Sequence, residues 1–220
     1  GLLLLQHQPL GDDVIPGMAP VAEGVQVAEV QGRQEAQPDA GEAYVRDLDD
    51  DSRLVLPGTR GSPGRWFLDR RGTVAVHVTD ETASVWDLAT LVRHDLNLIT
   101  YSHRPAFSAA GDRIAFAIDA DIQIHDTRTG RLVRRLVGHE GPVETLDFAA
   151  DGRSLVSGAV ERTVRTWDLG SGRSEVHAGF EGIVSEVQPL ADGRSILAVS
   201  TSGEVRLFEP HRAGQVVGEH

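Results

Sequence analysis

Residues 138–178 read GHEGPVETLDFAADGRSLVSGAVERTVRTWDLGSGRSEVHA, and this stretch decides the fold. Its apolar residues fall into short runs, and polar, glycine-containing or charged turns separate the runs at 150–153, 160–162 and 170–172. Glycine readily adopts the positive φ that tight turns require, so the pattern predicts strands joined by hairpins. We expect strands over 143–148, 154–158, 163–168 and 173–178, paired as one twisted antiparallel sheet.

The same unit recurs along the chain. A ring-bearing residue followed by an acid repeats, and the acids lie 39, 42 and 41 residues apart. These pairs are Trp86-Asp87, His125-Asp126, Trp167-Asp168 and Phe208-Glu209. The glycine of a polar turn keeps the same spacing at Gly72, Gly111, Gly152 and Gly193. A period of about 40 to 45 residues with four strands per unit indicates an all-β chain, a β-propeller of four-stranded antiparallel blades with about five blades present.

The third strand of each unit shows the clearest alternation. Small or apolar residues occupy two positions on one face of it in four units, and a different side chain lies between them. The pairs are Ala83 and Val85, Ile122 and Ile124, Val164 and Thr166, and Val205 and Leu207. This pattern predicts that each sheet packs one face against a neighbouring sheet.

The segments GH at 138–139, ADG at 150–152, LVSG at 155–158 and TVRTWD at 163–168 resemble a WD40 repeat. The neighbouring units look like diverged copies, so the resemblance covers about residues 43–210. It implies a structural brace in each blade, a buried hydrogen-bonded chain of histidine, serine or threonine, aspartate and tryptophan. Matched by position, the brace of the best blade consists of His139, Ser157, Glu161 and Trp167, with glutamate where the family has aspartate.

Two other units match the brace less well. Asp80 and Trp86 match two of its members, with no matching histidine, and the last unit has Phe180 and Phe208 where histidine and tryptophan would stand. We expect these two blades to depend more on packing than on a polar brace.

The two ends of the chain fit the repeat differently. Residues 1–42 form a poorly patterned segment, whereas residues 43–220 read as WD40-like blades. Near the start of the chain, Leu2–Leu5 is expected to be a buried strand. Tyr44–Leu48 is expected to be the third strand of a degenerate blade, and Val25, Val27 and Val30 are expected to lie in an earlier strand. Residues 31–42 are expected to form a loop. A new unit is expected to begin at 218–220. We therefore favour part of a larger propeller over a ring that closes within these 220 residues.

Composition excludes several functional classes. The net charge is -12, and all 21 basic residues are arginine, so neither nucleic acid nor a membrane is an expected partner. The chain has no cysteine, and its nine histidines show no metal-ligand spacing, so we expect no metal and no cofactor. Abundant Ala, Gly, Val, Arg and Asp without lysine is typical of high-GC bacterial coding, which predicts a bacterial-type WD40 array in the cytoplasm.

No catalytic motif supports an enzyme. The sequence favours a noncatalytic scaffold or sensor module that presents a rigid surface to a protein partner or to other domains of a larger signalling protein, with no small-molecule substrate. The alternative is a propeller-based enzyme or small-molecule binder with acids and histidines at a central channel. That alternative requires convergence of at least two residues among His77, Asp119, Asp121, Glu161 and Glu204. A degenerate blade set acting as a spacer is the third hypothesis.

Overall fold

The computed structural model describes residues 3–5, 43–47, 53–56, 64–79, 81–96, 98, 104–192 and 195–209. Every regular element in these ranges is a β-strand. The chain divides into two compact units, one of residues 1–100 with 127–131 and the other of residues 101–126 with 132–220. The prediction of an all-β chain is confirmed.

The first unit contains two antiparallel sheets. The strands of the first sheet, in spatial order, are β1 (Leu3–Leu5), β2 (Tyr44–Asp47) and β3 (Arg53–Val55). The strands of the second are β4 (Arg65–Leu68), β5 (Val74–Val78), β6 (Ala83–Asp87) and β7 (Arg93–Leu96). The strands expected within Leu2–Leu5 and Tyr44–Leu48 are thus present, and they pair with each other.

The second unit contains three antiparallel sheets. The first consists of β8 (Ala106–Phe107), β9 (Arg113–Ile118), β10 (Asp121–Asp126) and β11 (Leu132–Val137). The second consists of β12 (Val143–Phe148), β13 (Ser154–Ala159), β14 (Val164–Asp168) and β15 (Ser174–His177). The third consists of β16 (Val184–Pro189), β17 (Ile196–Ser200) and β18 (Val205–Phe208). The four strands predicted from residues 138–178 match β12 to β15 closely.

The repeated glycine of the sequence sits in the first hairpin of each four-stranded sheet. Gly72, Gly111 and Gly152 have φ values of 65, 73 and 64°, in the left-handed region that favours glycine. The N–H of each donates to the carbonyl three residues earlier, at 3.1, 2.8 and 3.1 Å. The spacing of these glycines therefore reports the spacing of the hairpins.

The sheets of the second unit stack face to face. One face of the β12–β15 sheet, with Leu155 and Trp167, packs in a cluster with Ile122 and Ile124 of the preceding sheet. Its other face, with Val156 and Val164, packs in a second cluster with residues of the β16–β18 sheet. The approach is close at Gly158, where an added Cβ would lie 2.4 Å from Val184 Cγ1. Stacking predicted from the third-strand alternation is present here.

The apolar core of the first unit includes Ala43, Leu56, Ala75, Trp86 and Leu88. Other early predictions lie outside the described residues. These are the strand at Val25, Val27 and Val30, the loop at 31–42, the role of Asp80, and the new unit at 218–220. In the described part of the chain, no helix is long and apolar enough to cross a membrane.

Candidate functional site

The predicted brace residues of the β12–β15 sheet lie in one hydrogen-bonded chain. Trp167 Nε1–H donates to Ser157 Oγ at 2.8 Å, and Ser157 Oγ lies 2.7 Å from His139 Nε2. His139 Nδ1 contacts Glu161 Oε1, to which Thr163 Oγ1–H also donates at 2.8 Å. The longer glutamate thus closes the chain where the family has aspartate.

The direction of the hydrogen bonds in this chain follows from its first donor. Indole nitrogen can only donate, so Ser157 Oγ accepts from Trp167 and donates its own hydrogen to His139 Nε2. His139 Nδ1–H then donates to the carboxylate of Glu161. Burial lowers the pKa of His139, although Glu161 acts to raise it. Burial alone would raise the pKa of Glu161, but hydrogen bonds from His139 and Thr163 outweigh it and leave this pKa low.

The β4–β7 sheet has a different arrangement at the same position. Trp86 pairs with Ala75 as Trp167 pairs with Leu155, so His77 occupies the strand position of Ser157. Its ring stacks on Trp66 with centroids 4.5 Å apart and lies 6.5 Å from the Trp86 ring. Neither His77 Nε2 nor Trp86 Nε1 has a hydrogen-bond partner. Sequence matching found no histidine here because it sought one at the position of His139.

The environment of His77 predicts acid sensitivity. Its side chain is buried, and burial together with the charge of Arg93 lowers its pKa from 6.5 to about 4. Between these pH values the unfolded chain binds a proton that the folded chain does not. Stability is therefore expected to fall as the pH decreases from 6.5 to about 4, by about 3 kcal/mol in total.

Urea unfolding between pH 7 and pH 4 measures this effect. His77→Phe keeps an aromatic ring at the site and should lose about 3 kcal/mol of the pH dependence, whereas the control His94→Gln should retain it. The same pH dependence in His77→Phe and in the unmodified chain would contradict the assignment.

The last sheet replaces the brace with an arginine. Arg206 lies over the Phe180 ring at 4.5 Å and donates to the carbonyls of Ala178 and Gly179 at 3.3 and 2.7 Å. The Glu204 carboxylate accepts hydrogen bonds from Arg206 Nε at 2.5 Å and from the Glu181 N–H at 3.0 Å. We expected this sheet to depend more on packing than on a polar brace, and the arginine network stands in addition to the packing of Phe180 and Phe208.

The β4–β7 sheet also has a polar network near its aromatic residues. Ser84 Oγ donates to Asp95 at 2.7 Å, and Arg93 Nε donates to the same carboxylate at 2.6 Å. This network adds to the packing of the Trp66, His77 and Trp86 rings. In three sheets an arginine covers a buried ring, namely Arg93 over Trp86, Arg165 over Trp167 and Arg206 over Phe180. Ser84, Arg165 and Arg206 occupy the positions between the alternating small or apolar residues of the third strands.

The residues named for a catalytic alternative have separate local partners. Asp121 accepts from Arg135 Nε at 2.9 Å, Glu161 binds His139, and Glu204 binds Arg206, each within its own sheet or the segment that precedes it. Asp119 lies at the exposed β9–β10 turn, and His77 is buried in the first unit. Within the described ranges, no group of three or more His, Asp or Glu side chains is arranged to hold a metal ion. The convergence that an enzyme would need is absent from the carboxylates of these three sheets.

A groove of about 540 Å³ lies beside β18, where Phe180, Arg206 and Leu207 form part of its lining. It has no carboxylate among its lining residues. The groove therefore offers no general acid or base from an Asp or Glu side chain.

One end of the second unit carries five carboxylates, and we call this surface the acidic end. Asp119, Glu140 and Glu181 are exposed there. Glu161 and Glu204 are half-buried and bonded to His139 and Arg206. Hydrogen bonds join the loops that carry this surface. Val143 N–H donates to the Asp119 carbonyl at 2.8 Å, Val160 N–H to Pro142 at 2.9 Å, and Thr201 N–H to Ile183 at 2.8 Å.

The hairpins at the opposite ends of these strands carry a balanced charge. Acids and arginines alternate there, as in the pairs Asp112 and Arg113, Asp151 and Arg153, and Asp168 and Arg173. At the acidic end, Arg162 is an exposed cation among five carboxylates. The second unit therefore has one electrostatically distinct surface, and the free carboxylates most exposed on it belong to Asp119, Glu140 and Glu181.

Comparison with protein families identifies a match at residues 130–168. The matching model is described as WD domain, G-beta repeat. The matched residues include His139, Ser157, Glu161 and Trp167.

Curated relatives match a longer stretch at moderate identity. Periodic tryptophan protein 2 of Saccharomyces cerevisiae is 33% identical over 99 residues, which are 44% of this chain and 10% of that protein. U3 small nucleolar RNA-associated protein 21 of the same organism is 39% identical over 67 residues, 30% of this chain and 7% of that protein. The chain thus spans a tenth or less of the length of these relatives. Both relatives are eukaryotic, which contradicts the prediction of a bacterial-type array. That prediction was based on amino-acid composition, which reflects the coding bias of an organism and not the fold.

A solved structure extends the comparison to the fold. A chain of a structure titled Crystal Structure of Mitotic Checkpoint Complex superposes with a TM-score of 0.63 at 17% sequence identity. The match covers 76% of this chain and 54% of that chain. At this identity the likeness concerns the fold alone.

Proposed function

Residues 130–168 of this chain match a WD40 repeat, and we propose from that premise that the chain is a noncatalytic interaction module whose acidic end binds a basic surface of a protein. The partner is a separate protein or another domain of a larger polypeptide. The observation that carries the proposal is the concentration of exposed carboxylates on loops that neighbouring sheets hold in place.

The loops of the acidic end are preorganised. The loops at Asp119, Glu161 and Glu204 are short connections between paired strands, whereas those at Glu140 and Glu181 join neighbouring sheets. Hydrogen bonds between loops restrict them further. A surface that is ordered before binding loses little conformational entropy when a partner docks. A broad surface of this kind needs neither a deep pocket nor a reactive side chain.

The charge of the surface indicates the chemistry of the partner. Carboxylates attract lysine and arginine side chains and repel phosphate groups, so a basic protein surface fits and nucleic acid or an anionic membrane does not. The similar proteins include U3 small nucleolar RNA-associated protein 21 and a chain of the mitotic checkpoint complex. For this chain, a protein partner is the proposal, and a cytoplasmic location stays a prediction.

Affinity capture followed by binding kinetics tests the proposal. The immobilised chain is used to isolate a partner from its source organism, and the association rate is then measured for Glu140→Lys combined with Glu181→Lys. We expect the rate to fall at least about tenfold, since steering by opposite charge acts mainly on association. The matched control, Glu175→Lys with Glu209→Lys, makes the same change in net charge at positions outside the acidic end.

Salt provides a second test on the same complex. Raising the ionic strength from about 0.1 M to about 1 M shortens the screening length from about 10 Å to about 3 Å. The association rate of the unmodified chain should fall steeply over this range. A rate that is independent of salt, or one that the control pair lowers as much as the test pair, would refute the role of the acidic end.

A further inference from the structure

Strand β11 differs from the other outer strands. In each four-stranded sheet, one outer strand follows the strand that carries the ring-acid pair, and these strands are β7, β11 and β15. The sequence of β7 is RHDL and that of β15 is SEVH, four residues each with a carboxylate. Strand β11 has six residues, LVRRLV, and no carboxylate. It is the longest and most apolar of these three edges.

The side chains of β11 are well exposed for an apolar strand. Leu132, Val133 and Val137 have exposures of 52, 51 and 67%. Arg135 and Val137 lie two residues apart on the regular part of the strand and therefore share one face, and Val133 lies beside them at a bulge, where the register against β10 shifts. The Arg135 side chain is 59% exposed even though it contacts Asp121. This face presents a cation between two aliphatic side chains.

The outer edge of β11 is open over most of its length. Proteins protect exposed edges with short strands, proline, lysine, bulges or covering segments. In the part of the chain that the structure describes, no strand pairs with β11 on the side away from β10. The strand has a bulge at Val133, where the register against β10 shifts between Ile124 and His125, and residues 134–137 pair with β10 without interruption.

We propose that β11 is a second docking site, where an extended segment of a partner protein adds as a further strand. The segment has an acidic residue flanked at the second position on each side by an apolar residue. Backbone hydrogen bonds would supply affinity, and the alternate side chains would supply specificity. The acid would lie opposite Arg135, one apolar residue would lie opposite Val137, and the other would pack beside the bulge at Val133.

Charge distinguishes this occupant from a second copy of the chain. Residues 128–139 contain four arginines and no carboxylate within a chain of net charge -12. Two copies of β11 paired about a two-fold axis at the strand centre would place Arg134 opposite Arg135, and like charges directly opposite destabilise a strand pair. An acidic, apolar segment instead complements the strand. The site therefore has the opposite sign to the acidic end and can be tested separately.

A labelled peptide tests the proposal on the whole chain. The probe is a fluorescent peptide of sequence Ser-Val-Thr-Glu-Thr-Val-Ser, and its match has lysine in place of glutamate. Fluorescence anisotropy should show saturable binding of the glutamate peptide at least about tenfold tighter than that of the lysine peptide. Combining Val133→Ser with Val137→Ser should weaken binding at least about tenfold. Val176→Ser, on the exposed part of β15, should leave it unchanged.

Charge exchange makes the test specific to Arg135. In Arg135→Glu, the lysine peptide should bind more tightly than the glutamate peptide. Absence of saturable binding, equal affinity for the two peptides, or no effect of the paired serine substitutions would overturn the proposal. Sedimentation that shows a dimer dissolved by the serine substitutions would also overturn it, in favour of a second copy. None of these variants alters the acidic end, so failure here leaves the first binding proposal standing.

Discussion

Replacing Trp167 with alanine is expected to lower the free energy of unfolding by about 3 to 5 kcal/mol. The side chain is 1% exposed and packs in the cluster between two sheets of the second unit. Removal leaves a cavity that close-packed neighbours fill only in part, so the loss includes both transfer and cavity terms. It also leaves Ser157 Oγ without its indole donor.

Chemical denaturation monitored by circular dichroism measures this change. Val137→Ala is the matched control, because Val137 is 67% exposed and its truncation should change stability by less than about 0.5 kcal/mol. Equal stability of the Trp167→Ala variant and the unmodified chain would mean that the indole is not buried between sheets.

The second large effect is expected at Ser157. Its hydroxyl accepts from Trp167 and bonds to His139, and the residue is fully buried. Ser157→Ala removes little volume but leaves two buried polar groups without partners, at about 1 to 3 kcal/mol each. We therefore expect a loss of about 2 to 4 kcal/mol in the free energy of unfolding.

A double-mutant cycle separates the hydrogen bond from packing. Trp167→Phe removes the indole N–H while keeping an aromatic ring, so its effect should be non-additive with that of Ser157→Ala. The control Ser185→Ala, at an exposed position, should be close to neutral. Strict additivity of the two core substitutions, or a neutral Ser157→Ala, would contradict the hydrogen-bonded chain.

The repeat made much of the second unit predictable. The hairpin glycines and alternating third strands are local features, and β12 to β15 follow the strands expected from residues 138–178. The resemblance of one well-formed unit to its family also identified four residues that hydrogen bonds link in the structure. Both inferences used spacing within a single unit.

Features that depend on register or on distant pairing could not be predicted in this way. Four residues separate the paired residues Val78 and Ala83 of β5 and β6, whereas five separate Gly158 and Val164 of β13 and β14. Counting back from Trp86 by the spacing of the best unit therefore does not lead to His77. The pairing of Leu3–Leu5 with Tyr44–Asp47 joins segments about forty residues apart in sequence. Arg206 replaced a histidine through a contact with Phe180 that no one-dimensional motif encodes.

The difference between the braces suggests how the sheets tolerate divergence. The β12–β15 sheet uses a neutral histidine between a serine and a carboxylate, whereas the last sheet uses an arginine held by Glu204 over an aromatic ring. In both networks, hydrogen bonds link the segment before a sheet either to the third strand of that sheet or to the loop beside that strand. Because either chemistry meets this requirement, loops of different sequence can be supported on similar sheets.

The most direct test of the central claim is to map where a bound partner touches the chain with a zero-length carbodiimide crosslinker. This reagent joins a carboxylate to a lysine amine, and the chain contains no lysine. Side-chain crosslinks that involve this protein must therefore connect its carboxylates to lysines of the partner. We expect crosslinks at Asp119, Glu140 and Glu181. Crosslinks confined to the opposite hairpins, at Asp112, Asp151 and Asp168, would contradict binding at the acidic end.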